Sequence, residues 1–261
     1  MQKFDGQVAL ITGAGSGIGA AAAKLLASQG ARVAGLGRSA DELQKVIAAI
    51  KQNGGEAIPV IADVADPEAM QRAVEATFDH YQRLDIVFAN AGVNGVWAPI
   101  DEITPQEWDQ TISTNLRGTF LTIHYTVPHL MRSGGAIIVT SSVNGTRMFS
   151  NSGATAYACS KAAQVALAKM AALELAKYKI RVNVICPGAI STDINENTEI
   201  RHLYKARTPV QYPTGDIPLT HGEPGTADQV AELVSFLASD AARHISGAEV
   251  FIDGAQSLLQ G

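Results

Sequence analysis

Tyr157 and Lys161 lie four residues apart in a strongly helix-forming stretch, so their side chains project from one face. A phenol ionises near 10 and carries protons poorly at neutral pH, whereas a neighbouring ammonium stabilises the phenolate and brings it towards a working range. Such a pair arises by chance on many helices and proves little alone. Beside Ser142, which lies on a predicted strand end, the pair becomes a catalytic proposal. Thr12-Gly13-Ala14-Gly15-Ser16-Gly17-Ile18-Gly19 follows the first predicted strand and opens the first helix. Glycines there let backbone N–H groups approach a phosphate, and the helix N-terminus completes an anion site without any lysine. A P-loop would need a Lys-Ser/Thr pair, which is missing, so nucleotide hydrolysis is disfavoured. Together these residues suit proton exchange at an alcohol or carbonyl oxygen while a bound dinucleotide moves a hydride.

Those groups need a scaffold with strand ends and helix starts side by side. Short β-rich runs at Val8–Thr12, Arg32–Leu36, Ala57–Ile61, Ile86–Ala89, Ala136–Thr140, Arg181–Ile185 and Glu249–Ile252 alternate with helical stretches. The helices are expected near 18–29, 40–52, 67–80, 106–131, 155–178 and 226–238. Nearly continuous apolar strands alternating with helices predict a doubly wound parallel α/β sheet covered on both faces. Residues 1–261 are expected to form a single domain, since α/β domains often reach this length. Between Ser191 and Thr226 the rhythm breaks, with Pro209, Pro213, Pro218 and Pro224 and little apolar periodicity. This stretch is either a surface insertion or, as its place after a strand end favours, a substrate lid.

Composition excludes several classes. The net charge of −5 offers no basic surface for nucleic acid. No apolar run is long enough to span a bilayer, and the N-terminus lacks a signal-peptide pattern, so a cytoplasmic protein is expected. Cys159 and Cys186 have no metal spacing and read as small buried hydrophobes, so no metal is expected.

The glycine pattern has the form Thr-Gly-x3-Gly-x-Gly, and an ordered series of motifs follows it. These are Asn90-Ala91-Gly92 after the fourth strand, Asn115 in the next helix, Ser142, Tyr157-x3-Lys161, and Pro187-Gly188 after the sixth strand. On these residues the chain resembles the classical short-chain dehydrogenase/reductase family over essentially its whole length. The resemblance implies a Rossmann-type sheet of seven strands in the order 3-2-1-4-5-6-7. It also implies a catalytic set of Asn115, Ser142, Tyr157 and Lys161. Lys161 would also hold the nicotinamide ribose, Ser142 the substrate oxygen, and Asn115 a kinked helix and a relay water near Lys161. Ser142 precedes Tyr157 by fifteen residues where the family commonly has thirteen, and Ser141 is a rival for its role.

The resemblance places the cofactor along Gly13, Ser16, Gly17, Ile18 and Gly19, then Asp63 and Val64 at the adenine edge. Asn90, Ala91 and Gly92 follow, with Tyr157 and Lys161, and finally Pro187, Gly188, Ile190 and Thr192 around the nicotinamide. The end of the second strand reads Gly37-Arg38-Ser39, with no carboxylate to grip a ribose 2′-hydroxyl. Arg38 could pair with a 2′-phosphate and Ser39 could donate to it, so NADP is expected, with NAD as the alternative.

The substrate pocket is expected to be walled by 93–98, 144–155 and the lid, with Asn94, Trp97, Arg147, Met148 and Phe149 facing it. That suits a small alcohol or carbonyl substrate, such as a secondary alcohol or ketone, without naming it. Helices matching 106–131 and 155–178 pack against a partner in the family, and Val165, Met170 and Leu173 offer an apolar face, so a homo-oligomer, a tetramer, is expected. Rival readings are a non-catalytic dinucleotide sensor, an NAD-preferring dehydrogenase, and a lyase or epimerase that retains its cofactor.

Overall fold

A computed structural model describes residues 3–192, 194, 198–207 and 216–260. Seven parallel strands form the central sheet: β1 (Val8–Thr12), β2 (Arg32–Gly37), β3 (Glu56–Ile61), β4 (Ile86–Ala89), β5 (Gly135–Thr140), β6 (Ile180–Pro187) and β7 (Glu249–Ile252). Their order is β3-β2-β1-β4-β5-β6-β7, as the motif series implied. β1 and β4 are neighbours, in register from Ala9↔Ile86 to Ile11↔Phe88. The winding reverses between them, so a crevice opens at their carboxyl ends.

The longer helices are α1 (Gly17–Ser28), α2 (Ala40–Gln52), α3 (Pro67–Tyr81), α4 (Pro105–Ile112), α5 (Gly118–Leu130), α6 (Thr155–Leu175) and α7 (Ala227–Ala238). Their starts are set by local chemistry. Asp66 accepts from Ala69 N, with Pro67 in the first helical position. Thr104 with Glu107 and Thr226 with Gln229 form reciprocal capping boxes.

Alternation along each strand divides the core in two. Val8 and Leu10 of β1 join Met70, Val74, Leu121, Val165 and Leu175 on one side of the sheet. Ala9 and Ile11 join Leu26, Leu43, Ile47, Val230 and Val234 on the other. Each face thus buries an apolar layer beneath its helices.

The expected helix 106–131 is interrupted by a π-turn at Ser113–Arg117, centred on Asn115. The expected helix 155–178 ends in a 3-10 turn over Ala176–Tyr178. In the lid region, Glu199–Ile200 pairs in parallel with Val96–Trp97, and Gly225–Thr226 pairs with Ile190–Ser191. The described parts of this region are therefore built into the fold. Pro209 and Pro213 lie outside the described residues. Cys159 is exposed, against the expectation that both cysteines are buried, because its position on α6 faces away from the sheet. Among the described residues no helix is long and apolar enough to cross a membrane, and no cluster of metal-ligating side chains occurs.

Candidate active site

The crevice at the carboxyl ends of β1 and β4 is a cleft of about 240 Å³. Its floor is the glycine turn, through Gly13, Ser16, Gly17 and Ile18, and Asn90-Ala91-Gly92 after β4. Ser142, Tyr157 and Lys161 line it too, with Pro187, Gly188, Ile190 and Thr192 opposite. Backbone geometry explains the glycines. Gly13 and Gly17 take φ of +69° and +50°, a region that side chains disfavour. A Cβ on Gly19 would run into the Gly13 carbonyl and lie 2.8 Å from Asn90 Nδ2. The start of α1 therefore sits directly against the end of β1, with its free N–H groups facing the cleft. A Cβ on Gly17 would meet Thr192 Cγ2 at 3.3 Å, so Thr192 overlies the turn.

Thr12 ties the two strand ends together. Its hydroxyl accepts from Asn90 N at 2.9 Å and Ala91 N at 3.0 Å. Asn90 Nδ2 donates to Thr12 O at 3.2 Å, and its Oδ1 accepts from the Thr140 hydroxyl at 3.1 Å. The carboxyl ends of β1, β4 and β5 are thus one hydrogen-bonded unit.

α6 presents Tyr157, Ser160, Lys161 and Gln164 on one buried face. Lys161 Nζ donates to Thr140 O at 3.0 Å and lies 5.4 Å from the Tyr157 ring centroid. Burial lowers Lys161 to about 8, which leaves it charged at neutral pH. Tyr157 differs from expectation. Burial raises its hydroxyl above the ordinary phenol value, and a hydrogen bond with Ser142 pulls it back. The lowering expected from Lys161 does not arise: loss of water around a nearly enclosed phenol dominates, and Ser142 supplies the opposing effect.

The neighbouring serines differ in what they touch. Ser141 donates to the Lys161 carbonyl at 2.8 Å and so fastens α6 to β5. Ser142 faces Tyr157, and its oxygen accepts from Asn144 N at 3.1 Å. Asn115 is fully buried and does not line the cleft. Its side chain clasps Val93, accepting from Val93 N at 2.8 Å and donating to Val93 O at 2.9 Å, and reaches the Ser160 hydroxyl at 2.9 Å.

At the far end, Arg38 lies 3.8 Å from Asp63, both substantially exposed. Ser39 caps α2, its oxygen accepting from Glu42 N. Val64 is buried beneath α5, where a Cβ on Gly118 would approach its Cγ2 to 2.7 Å. Arg147, expected near substrate, instead stacks on Phe251, 3.5 Å from the ring centroid. Thr12, Thr140, Ser160, Gln164 and Glu42 also belong to the site, with no role for them assigned from the sequence. Ser160 and Gln164 were legible as polar positions three and seven residues after Tyr157, on the face turned to the core.

The residues present fit a dinucleotide: the glycine turn leaves no side chain between the N–H groups of α1 and the cleft, and one end holds three convergent polar groups. Residues 13–255 match the family model described as enoyl-(acyl carrier protein) reductase. The chain is 37% identical over 258 residues to versicolorin reductase stcU from Emericella nidulans, covering 97% of this chain and 96% of that one. It is 37% identical over 254 residues to cyclohexanol dehydrogenase from an Acinetobacter species, with the same coverage. A solved 3-ketoacyl-ACP reductase from Sinorhizobium meliloti superposes with a TM-score of 0.94 at 56% identity, covering 97% of this chain and 99% of that one. With its sheet order, glycine turn and ordered motifs matched to these relatives, the chain belongs to the classical short-chain dehydrogenase/reductase family and is an oxidoreductase.

Proposed function

We propose that this protein interconverts a secondary alcohol and a ketone with NADP(H), using Tyr157 as general acid and base. The observation that carries the reading is the single cleft joining the glycine turn to Ser142, Tyr157 and Lys161. The bound dinucleotide supplies hydride transfer at its nicotinamide. Gly13 to Gly19 would hold its pyrophosphate, with Thr192 above, while Asn90 to Gly92 and Pro187 to Ile190 would flank its nicotinamide half. Asp63 and Val64 would border the adenine.

Ser142 orients the substrate oxygen, and its hydrogen bond offsets part of the effect of burial on Tyr157. Tyr157 gives its proton to the forming alkoxide in reduction and takes it back in oxidation. Lys161, charged at neutral pH, favours the phenolate left behind and can grip ribose hydroxyls. Asn115 holds the Val93 backbone at the cleft floor. Replacing Tyr157 by Phe tests the assignment: reduction of a ketone panel, cyclohexanone among them, should fall at least about a thousandfold while NADPH still binds. Full turnover in that variant would end the proposal.

NADP is favoured by Arg38 and by Ser39, whose hydroxyl proton stays free while its oxygen caps α2. One observation favours NAD. A Cβ on Gly15 would lie 3.3 Å from Glu42 Oε2, so a carboxylate flanks the turn where it would oppose a 2′-phosphate.

We read the whole chain as one domain with residues 191–226 over the substrate end, acting as a cytoplasmic homotetramer. Two free cysteines suit a reducing compartment. Met170 and Leu173 stand 58% and 78% exposed on α6, apolar area that a partner subunit would cover, whereas Val165, expected beside them, is buried in the core of this chain. A monomer mass in light scattering at micromolar concentration would remove the oligomer.

A further inference from the structure

Three segments border the substrate end of the cleft: 93–104 after β4, 142–155 after β5 and 191–226 after β6. Their described parts meet one another. Val96–Trp97 pairs with Glu199–Ile200, Arg201 N donates to Trp97 O at 2.9 Å, and Ala98 N donates to Gly153 O at 3.2 Å. A Cβ on Gly153 would run into Leu203 Cδ2, so the turn at Leu203–Lys205 rests directly on the loop that follows Ser142. Asn94 Nδ2 donates to the Thr198 hydroxyl at 2.8 Å, which donates to Ile194 O at 3.2 Å, and Ile194 lines the cleft.

Together these segments hold seven carboxylates against four lysines and arginines, namely Arg147, Arg201, Lys205 and Arg207. Three of the four cations are already spent. Arg147 is drawn off to the face of Phe251. Arg201 forks onto Glu107 and lies 3.5 Å from Glu199. Lys205 donates to Glu102 Oε1 at 2.6 Å, while the other oxygen of that carboxylate meets His202 at 2.7 Å. Arg207 is exposed and does not line the cleft. Within these segments, the residues that lie outside the described ones add only Asp193 and Glu196 to the charged groups. Lys161 does stand in the cleft, but its ammonium donates to Thr140 O and is assigned to the cofactor ribose.

We propose that the site takes an uncharged substrate, a ketone or secondary alcohol that carries no carboxylate or phosphate and is not tethered to an acidic carrier. This rests on the reading above, whose reaction it narrows to one class of substrate. A carboxylate entering here gives up water without gaining a counter-charge. The surplus of acidic groups around the entrance also opposes its approach.

Matched pairs of ketones test the assignment: acetoacetate with ethyl acetoacetate, and levulinate with methyl levulinate. At saturating NADPH, kcat/KM should favour each ester over its carboxylate by at least about tenfold. Raising salt from about 10 to about 300 mM should increase kcat/KM for the carboxylates at least about twofold and leave the esters level, because like charges are being screened. Arg207→Ala should leave both members of each pair unchanged. If none of the four turns over, quenching of NADPH fluorescence in the binary complex reads their binding, with the esters expected to bind more tightly. A carboxylate used or bound as well as its ester, a carboxylate rate that falls with salt, a loss confined to the carboxylate in Arg207→Ala, or no binding of either member overturns the proposal. Tyr157→Phe separates the two claims: ester reduction retained there defeats the functional reading and leaves the preference between ester and carboxylate standing.

Discussion

Arg201 grips Glu107 with both terminal nitrogens, Nη1 to Oε1 at 2.8 Å and Nη2 to Oε2 at 2.9 Å. The same guanidinium donates to Glu102 O at 2.6 Å, and Glu102 holds Lys205 and His202 at 2.6 and 2.7 Å. The segment 198–207 is thereby fastened to the loop that opens α4. Arg201 is the main reason that Glu107 is held down to about 2.

Glu107→Gln keeps a carbonyl for the Thr104 backbone and so preserves the helix cap while removing the ion pair. Faster hydrogen exchange across 198–207 is expected, together with a rise in KM of roughly three- to tenfold at constant NADPH affinity. Because the carboxyl is depressed, the contact in the wild type is fully present above the ordinary glutamate range. It is lost only as pH falls through about 2. Unchanged exchange in the variant would show that the clamp does not order the segment.

Lys161 sets a pH limit of opposite sense. Held to about 8 by burial, it loses its charge as pH rises through that value, and carbonyl reduction should decline over the same range. The folded protein then lacks a proton that the unfolded chain keeps up to about 10.5, so this group adds stability as pH climbs between the two values. Lys161→Met should abolish turnover yet raise stability at pH 7 by on the order of 2 kcal/mol, readable in denaturant titrations. A destabilised variant would mean that the ammonium is better solvated than its burial implies.

On the proposed reading, cofactor choice turns on two exposed side chains, Arg38 and Glu42. Arg38→Ala should weaken NADP+ binding about tenfold or more and leave NAD+ nearly unaffected. Glu42→Gln should strengthen NADP+ binding by a few fold, since it removes a negative charge beside Gly15. Calorimetry with both dinucleotides reads each change. Equal losses for the two cofactors in Arg38→Ala would remove Arg38 from the choice.

Gly19→Ala forces a methyl group against the Gly13 carbonyl and Asn90 Nδ2. The start of α1 must then back away from β1, at a cost of about 1–3 kcal/mol in stability. Dinucleotide affinity should drop at least about tenfold, measured by fluorescence titration. An Ala variant that binds as tightly as the parent would show that the close approach is dispensable.

Much of this was legible in the residues. Val8–Thr12 and Ile86–Ala89 announced buried parallel strands because both faces of such a sheet are covered, and a glycine-rich turn has one common use when a strand precedes it and a helix follows. Three features could not be read. The π-turn around Asn115 is met by Gln164, which reaches its carbonyl from another helix, a contact that the sequence around Asn115 does not announce. Tyr157 was expected to be lowered by its neighbour, but its burial depends on the 142–155 loop and β6, which a helical spacing does not reveal. Arg147 looked like a pocket cation until Phe251, a hundred residues on, proved to be its partner.

The two-residue pairing of Ile190–Ser191 with Gly225–Thr226 brings the chain back beside its own exit from β6. Thr226 also begins α7 with a capping box, so the return of the chain to the sheet is secured on its own. Changes of sequence between these anchors need not disturb the sheet, because the return of the chain is held at Thr226 by strand pairing and helix cap alike.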